Sequence, residues 1–200
     1  MIVWRYNTPG IPDSCFIRGE VPMTKEEIRT IVISKLRLES DSTVYDIGAG
    51  TGSLTIEAAN LVNRGVVYAV EKDRKGIELI KKNSQKFGMN NVNIVKGEAP
   101  GILNGFPLAD RIIVGGSGGK LDEILRKGKK KLKKQGRIVI TAVTIDTLSQ
   151  AKKSLERLNL TFNICNIAVT RAKKVADYQM LKGMNPVFII SAVKEDINDR

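Results

Sequence analysis

The segment Asp46-Ile47-Gly48-Ala49-Gly50-Thr51-Gly52 carries a glycine at every second position behind a carboxylate. Glycine lets a chain turn tightly and approach a ligand closely, and amides at the start of a helix attract a carboxylate or another anion. This is chemistry for binding rather than for breaking bonds. A dinucleotide fingerprint would place Gly or Ala at position 53, where this chain has Ser53. Further on, Glu71 closes an apolar run at a point where a carboxylate can accept hydrogen bonds from both hydroxyls of a ribose. Taken alone it reads equally well as a solvated acid at a helix start. Gly97-Glu98-Ala99 follows the next run, where backbone and acid can meet an adenine edge, and together these features imply a ligand with a nucleotide moiety. A later cluster, Gly115-Gly116-Ser117-Gly118-Gly119, leaves room for a bulky planar ligand and supplies backbone amides, although a flexible turn would have the same composition.

The absence of histidine removes Ser-His-Asp chemistry, His-activated cysteines and most transition-metal centres. Cys15 and Cys165 lie far apart without metal-ligand spacing, so neither a disulfide framework nor a metal site is expected. No residue stands out as a catalytic acid or base.

Five short β-branched runs, at 43–47, 66–70, 92–95, 110–114 and 137–141, alternate with amphipathic segments near 53–62, 74–87, 120–132 and 146–158. This repetition predicts a mostly parallel sheet with helices on both faces and right-handed crossovers. Two further runs, 160–168 and 186–193, are expected to form a terminal antiparallel pair, which makes seven strands. Thr24 with Glu27 forms a capping-box pattern, so a helix should begin at about Lys25, after a proline-rich loop or lid at 7–23. We expect a single domain over residues 1–200, with the lid and helix occupying 1–38. With neither a membrane-length apolar run nor a leader-like start, the expected location is the cytoplasm.

With 33 basic and 21 acidic residues the net charge is +12, which favours a polyanionic partner, either nucleic acid or a small molecule rich in carboxylates. The basic run from Arg126 to Lys134 should close a crossover helix at the edge of the sheet opposite the glycine loop, where lysines complement the helix dipole. Lys120, by contrast, starts that helix beside the loop, and Arg171, Lys173 and Lys174 lie in the connection between the last two strands at the same edge. Those cations can meet a substrate. Arg18 is a further candidate for a substrate carboxylate, with a surface salt bridge as the alternative.

The acid-GxGxG loop resembles the S-adenosylmethionine-binding loop of class I methyltransferases, a Rossmann-like α/β fold. Over about residues 10–193 the chain resembles one family more closely, the decarboxylating cobalt-precorrin C(15)-methyltransferases of anaerobic cobalamin biosynthesis. The stretches that carry the likeness are GIPDSCFIRGEVPMTKEEIR, VYDIGAGTGSLTIEAA, GEAP, DRIIVGGSGG, GRIVITAVTIDTL and NPVFII. The resemblance implies S-adenosylmethionine as cofactor, with Thr24, Gly48 through Gly52, Glu71 and Ala99 among its contacts, and a tetrapyrrole substrate, cobalt-precorrin-6B. It also implies a homo-oligomer, a tetramer. Glu98 departs from the aspartate expected there, which weakens its side chain as an adenine contact. Similar domains are fused to a second methyltransferase in the aerobic pathway, and a free-standing one fits the cobalt-early route. The rival readings are a transfer-RNA methyltransferase, disfavoured because the loop after the fourth strand has no Pro-Pro-aromatic motif to grip a base, and a non-enzymatic S-adenosylmethionine-binding regulator. We expect neither nucleic acid nor membrane as partner.

Overall fold

Strands buried on both faces read as continuous apolar runs, and β1 (Thr43–Ile47) is of this kind, with four of its five residues buried. The computed structural model describes residues 4–195. In it β1 pairs in parallel with β2 (Val66–Glu71) on one side and β4 (Ala109–Val114) on the other. Two more parallel strands extend the sheet, β3 (Val92–Lys96) beyond β2 and β5 (Leu132–Ala142) beyond β4. Two antiparallel strands complete it, β6 (Thr161–Ile167) and β9 (Val187–Val193), giving the order β3-β2-β1-β4-β5-β9-β6. The expected terminal pair is therefore present, with β9 inserted between β5 and β6.

Period-two alternation along the strands feeds two cores. Val44, Val67, Ile113 and Val139 face α1 (Glu26–Leu36) and α2 (Ser53–Leu61), whereas Tyr45, Ile47, Ile112 and Ile138 face α4 (Leu121–Lys131) and α5 (Ile145–Arg157). α3 (Arg74–Phe87) starts at Asp73, whose carboxylate accepts from the Lys75 and Gly76 amides. The chain order reverses at the β1/β4 boundary, the switch point at which open α/β sheets bind ligands beyond the carboxyl ends of their strands.

Two expectations are corrected. The helix at the N-terminus has Lys25 as its N-cap without a side-chain cap, so Thr24 does not form a capping box. Asp13, in a short 3₁₀ turn (Asp13–Cys15), accepts instead from the Glu26 amide at 3.0 Å, a carboxylate placed by tertiary structure at the positive end of the helix. The seven strands expected are joined by two more, because the connection between β6 and β9 is a hairpin of β7 (Thr170–Val175) and β8 (Tyr178–Gly183). Almost every residue of that hairpin is solvent-exposed, so no burial pattern marks it in the sequence.

Candidate functional site

The switch point gathers the two glycine loops. The amides of Gly48 and Ala49 donate to the Val70 carbonyl, and those of Gly115 and Gly116 to the Ile47 carbonyl, so the turns after β1 and β4 are pinned to neighbouring strands. Gly48 has a φ of +72°, and a Cβ there would lie 2.6 Å from the Gly116 backbone; no other residue fits this contact. Glu71 organises the other side of the loop. One oxygen accepts from the Gly50 amide at 2.8 Å and the other from the Lys72 and Asp73 amides at 2.8 and 2.9 Å.

Two cavities open on this edge, sharing Pro22, Gly48, Gly50 and Gly115. The smaller, about 280 Å³, runs past Glu71, Glu98, Ala99 and Gly116 to Gly118. The larger, about 580 Å³, lies between the start of α1, the first glycine loop, the end of β5 and the residues between β8 and β9. Thr24, Asp46, Ala49 and Thr51 line it. The site residues read from sequence therefore converge, with five exceptions. Gly52 is the N-cap of α2 and Gly119 lies beyond the cavity lining. Arg18 is exposed and lines neither cavity. Lys120 donates to Glu98 at 2.5 Å, and Arg171 is held by Glu27 at 2.5 Å and Asp13 at 3.2 Å, so both cations are neutralised within the chain. The Gly116–Gly118 floor also falls along the smaller cavity, because its loop folds back on β1, and not along the larger one that a bulky ligand needs.

The electrostatics differ between the cavities. Glu98 sits between the ammonium groups of Lys120 and Lys72, which hold its carboxyl down to about 2. Asp46 is 1% exposed; its Oδ2 accepts from Thr55 Oγ1 at 2.5 Å, while its buried Oδ1 has no partner. Burial pushes Asp46 up to about 6 against the Thr55 hydrogen bond, and the charge of Glu71 adds to the rise. A carboxyl raised in the folded state lowers stability once the unfolded chain ionises. The penalty grows from about pH 4 to pH 6 and is complete above that. Asp46→Asn retains an acceptor for Thr55 and should stabilise the ligand-free protein by about 2–3 kcal/mol near pH 7 and negligibly below about pH 4. Denaturant melts at the two pH values check this; an equal difference at both would contradict it.

Sequence reasoning missed part of the lining of the larger cavity: Lys25, Thr141, Lys182, Met184 and Asn185. Asn185 opens the NPVFII stretch, a signal that could have pointed there.

A family model described as the precorrin methyltransferase domain matches residues 15–194. The chain belongs to the precorrin methyltransferase family. A relative from Saccharolobus solfataricus, named probable cobalt-precorrin-6B C(15)-methyltransferase (decarboxylating), is 42% identical over 96% of this chain and 98% of its own. Among solved structures, a precorrin-6y C5,15-methyltransferase from Geobacter metallireducens superposes with a TM-score of 0.90 at 39% identity, covering 95% of this family member and all of that chain. A precorrin 8w decarboxylase from Methanobacterium thermoautotrophicum gives 0.86 at 35% identity, over 91% and 98% of the two chains. The Rossmann-like class I methyltransferase fold expected from the glycine loop is thus the fold of this family.

Proposed function

We propose that this family member, acting as one domain, methylates carbon 15 of cobalt-precorrin-6B and releases the carbon 12 acetate carboxyl as carbon dioxide, giving cobalt-precorrin-7. The observation that carries this reading is the junction of two cavities, of about 280 and 580 Å³, at Gly48, Gly50 and Gly115, in a chain whose relatives carry that name over nearly their full length. The residues present fit S-adenosylmethionine. The unpartnered Oδ1 of Asp46 calls for a donor such as an amino group, and the loop around Gly50 is a cradle that a side chain would fill. Glu71 has one accepting site left for a ribose hydroxyl, on the oxygen that takes only the Gly50 amide. Ala99 lies at the base end, with Glu98 anchored by its two lysines. When bound, S-adenosylmethionine supplies an electrophilic methyl group.

The chain's own part is positional. Reaction requires the acceptor carbon within about 3–3.5 Å of the methyl group and in line with it, and the side-chain-free junction permits that approach. An electron-rich conjugated ring attacks without a protein base, consistent with a site that offers no imidazole. In the decarboxylation the C–C bond of the acetate breaks, its electron pair enters the ring system, and the protein holds the ring in place.

We further propose a cytoplasmic homotetramer; among the described residues no helix is long and apolar enough to cross a membrane. Tyr178, Met180 and Leu181 on the hairpin are 75%, 55% and 78% exposed, which suits contact with other copies. The basic run offers RNA little: Lys129 and Lys131 donate to main-chain carbonyls and Lys133 to Asp110. Incubating the protein with labelled S-adenosylmethionine, cobalt-precorrin-6B and transfer RNA together tests the acceptor class. Label is expected in the pigment; label in RNA alone would favour the transferase rival.

A further inference from the structure

If the functional reading above holds, the substrate brings several carboxylates into the larger cavity, and the cations expected to meet them, Lys120 and Arg171, already serve Glu98, Asp13 and Glu27. The charged residues lining that cavity are Lys25, Asp46 and Lys182. Asp46 is buried at its base. Neither lysine takes part in an ion pair among the described residues.

The two lysines stand on different elements of the fold. Lys25 is the N-cap of α1, at the positive end of the helix dipole, where anions are stabilising and cations are not. Lys182 is the direct cross-strand partner of Arg171 in the hairpin but shares neither of the carboxylates, Glu27 and Asp13, that hold Arg171. Two residues lining one cavity, one at the start of α1 and one on β8, thus keep a positive charge with no ion-pair partner among the described residues. A polycarboxylate entering this cavity supplies the missing counter-ions, and its peripheral acid groups, spread around a ring, can meet two separate residues at once.

We infer that Lys25 and Lys182 are the residues that bind the substrate's carboxylates and so select a polyanionic macrocycle. The assignment is tested by Lys25→Gln, Lys182→Gln and the double variant, with Lys130→Gln, remote from both cavities, as control. Cobalt-precorrin-6B is titrated by absorbance in the presence of S-adenosylhomocysteine, and turnover is measured in parallel. Each single variant should weaken macrocycle binding and raise its KM roughly 3- to 10-fold, with the double variant close to the product. The KM for S-adenosylmethionine should not move, and Lys182→Arg should restore most of the loss. Because neither lysine has an ion-pair partner among the described residues, ligand-free variants should melt as the wild type does, whereas a purely structural role would lower the melting temperature. Unchanged macrocycle affinity in the double variant, or an equal loss for both substrates, overturns the assignment. If the wild type binds the pigment without methylating it, the functional reading fails and the titration alone judges the lysines; if it does not bind the pigment at all, both fail.

Discussion

Replacing Gly50 with valine is expected to abolish S-adenosylmethionine binding while leaving the chain folded. Gly50 sits at φ +57°, and a Cβ there would stand 3.5 Å from the Pro22 carbonyl oxygen and from Val21 Cγ1, an ordinary contact. The left-handed backbone costs a non-glycine residue about 1–2 kcal/mol, which a domain can bear. The two γ-methyls, however, occupy the space shared by both cavities, where the ligand must pass. Gly48 is a poorer test, because its substitution drives a side chain into the Gly116 backbone and separates the two loops. Glu71→Ala is the graded companion. It keeps the loop glycines but removes the carboxylate that orders the Gly50 amide, and should weaken binding by about 1–3 kcal/mol. Calorimetry with S-adenosylmethionine, and with NAD as the ligand expected not to bind, reads all of this. Full affinity in both variants would mean that the donor lies elsewhere.

The largest expected effect on stability is at Arg29. Its side chain is fully buried, donates to Asp13 at 2.8 Å, to Glu57 at 3.3 Å and to the carbonyls of Thr24 and Ile11, and stacks 4.7 Å from the Phe16 ring centre. It therefore ties the N-terminal segment, α1 and α2 into one unit beneath the cavity wall. Arg29→Met keeps much of the volume but leaves the Glu57 carboxylate without its cation and Asp13 with Arg171 alone, a loss of about 3–5 kcal/mol. The pH dependence follows from both acids. Burial raises Asp13, but hydrogen bonds and charge from Arg29 and Arg171 outweigh it and hold the carboxyl below its ordinary value, so its contribution to the wild type is lost as acid is added. Burial keeps Glu57 above its ordinary value despite Arg29. Without the arginine both groups rise and take up protons in acid, so the deficit of the variant should be greatest near pH 7 and shrink toward about pH 4.5. Urea melts at both pH values measure it; a deficit under about 1 kcal/mol near pH 7 would contradict the role given to this network.

The centre of the sheet was legible because β1 and β4 are buried on both faces and appear as apolar runs before glycine-marked turns, VYDI before Gly48 and RIIV before Gly115. The parallel strands bring Asp46, Glu71 and Ala99 to one edge by topology alone, so the donor side of the site could be read from spacing. The acceptor side could not. It is built by the hairpin and the residues between β8 and β9, where exposed strands leave no burial pattern, and by the opening of α1. The pairing of charges was hidden in the sequence for a related reason. Lys120 and Arg171 do reach the active edge, but whether a cation is available depends on partners brought from afar, Glu98 in one case and Asp13 with Glu27 in the other. Thr24 illustrates the same limit at a helix end, where a local capping pattern yields to a carboxylate supplied by a distant turn.

The central claim is that one site performs both methyl gain and decarboxylation on a tetrapyrrole. The most direct test incubates the purified protein with S-adenosylmethionine and cobalt-precorrin-6B and follows the pigment by mass spectrometry. The prediction is one methyl gained and one carbon dioxide lost on the same macrocycle, with neither change in the Gly50→Val variant. A pigment of unchanged mass, beside wild-type protein that binds S-adenosylmethionine, would contradict the claim; methyl gain without carbon dioxide loss would remove its decarboxylating half.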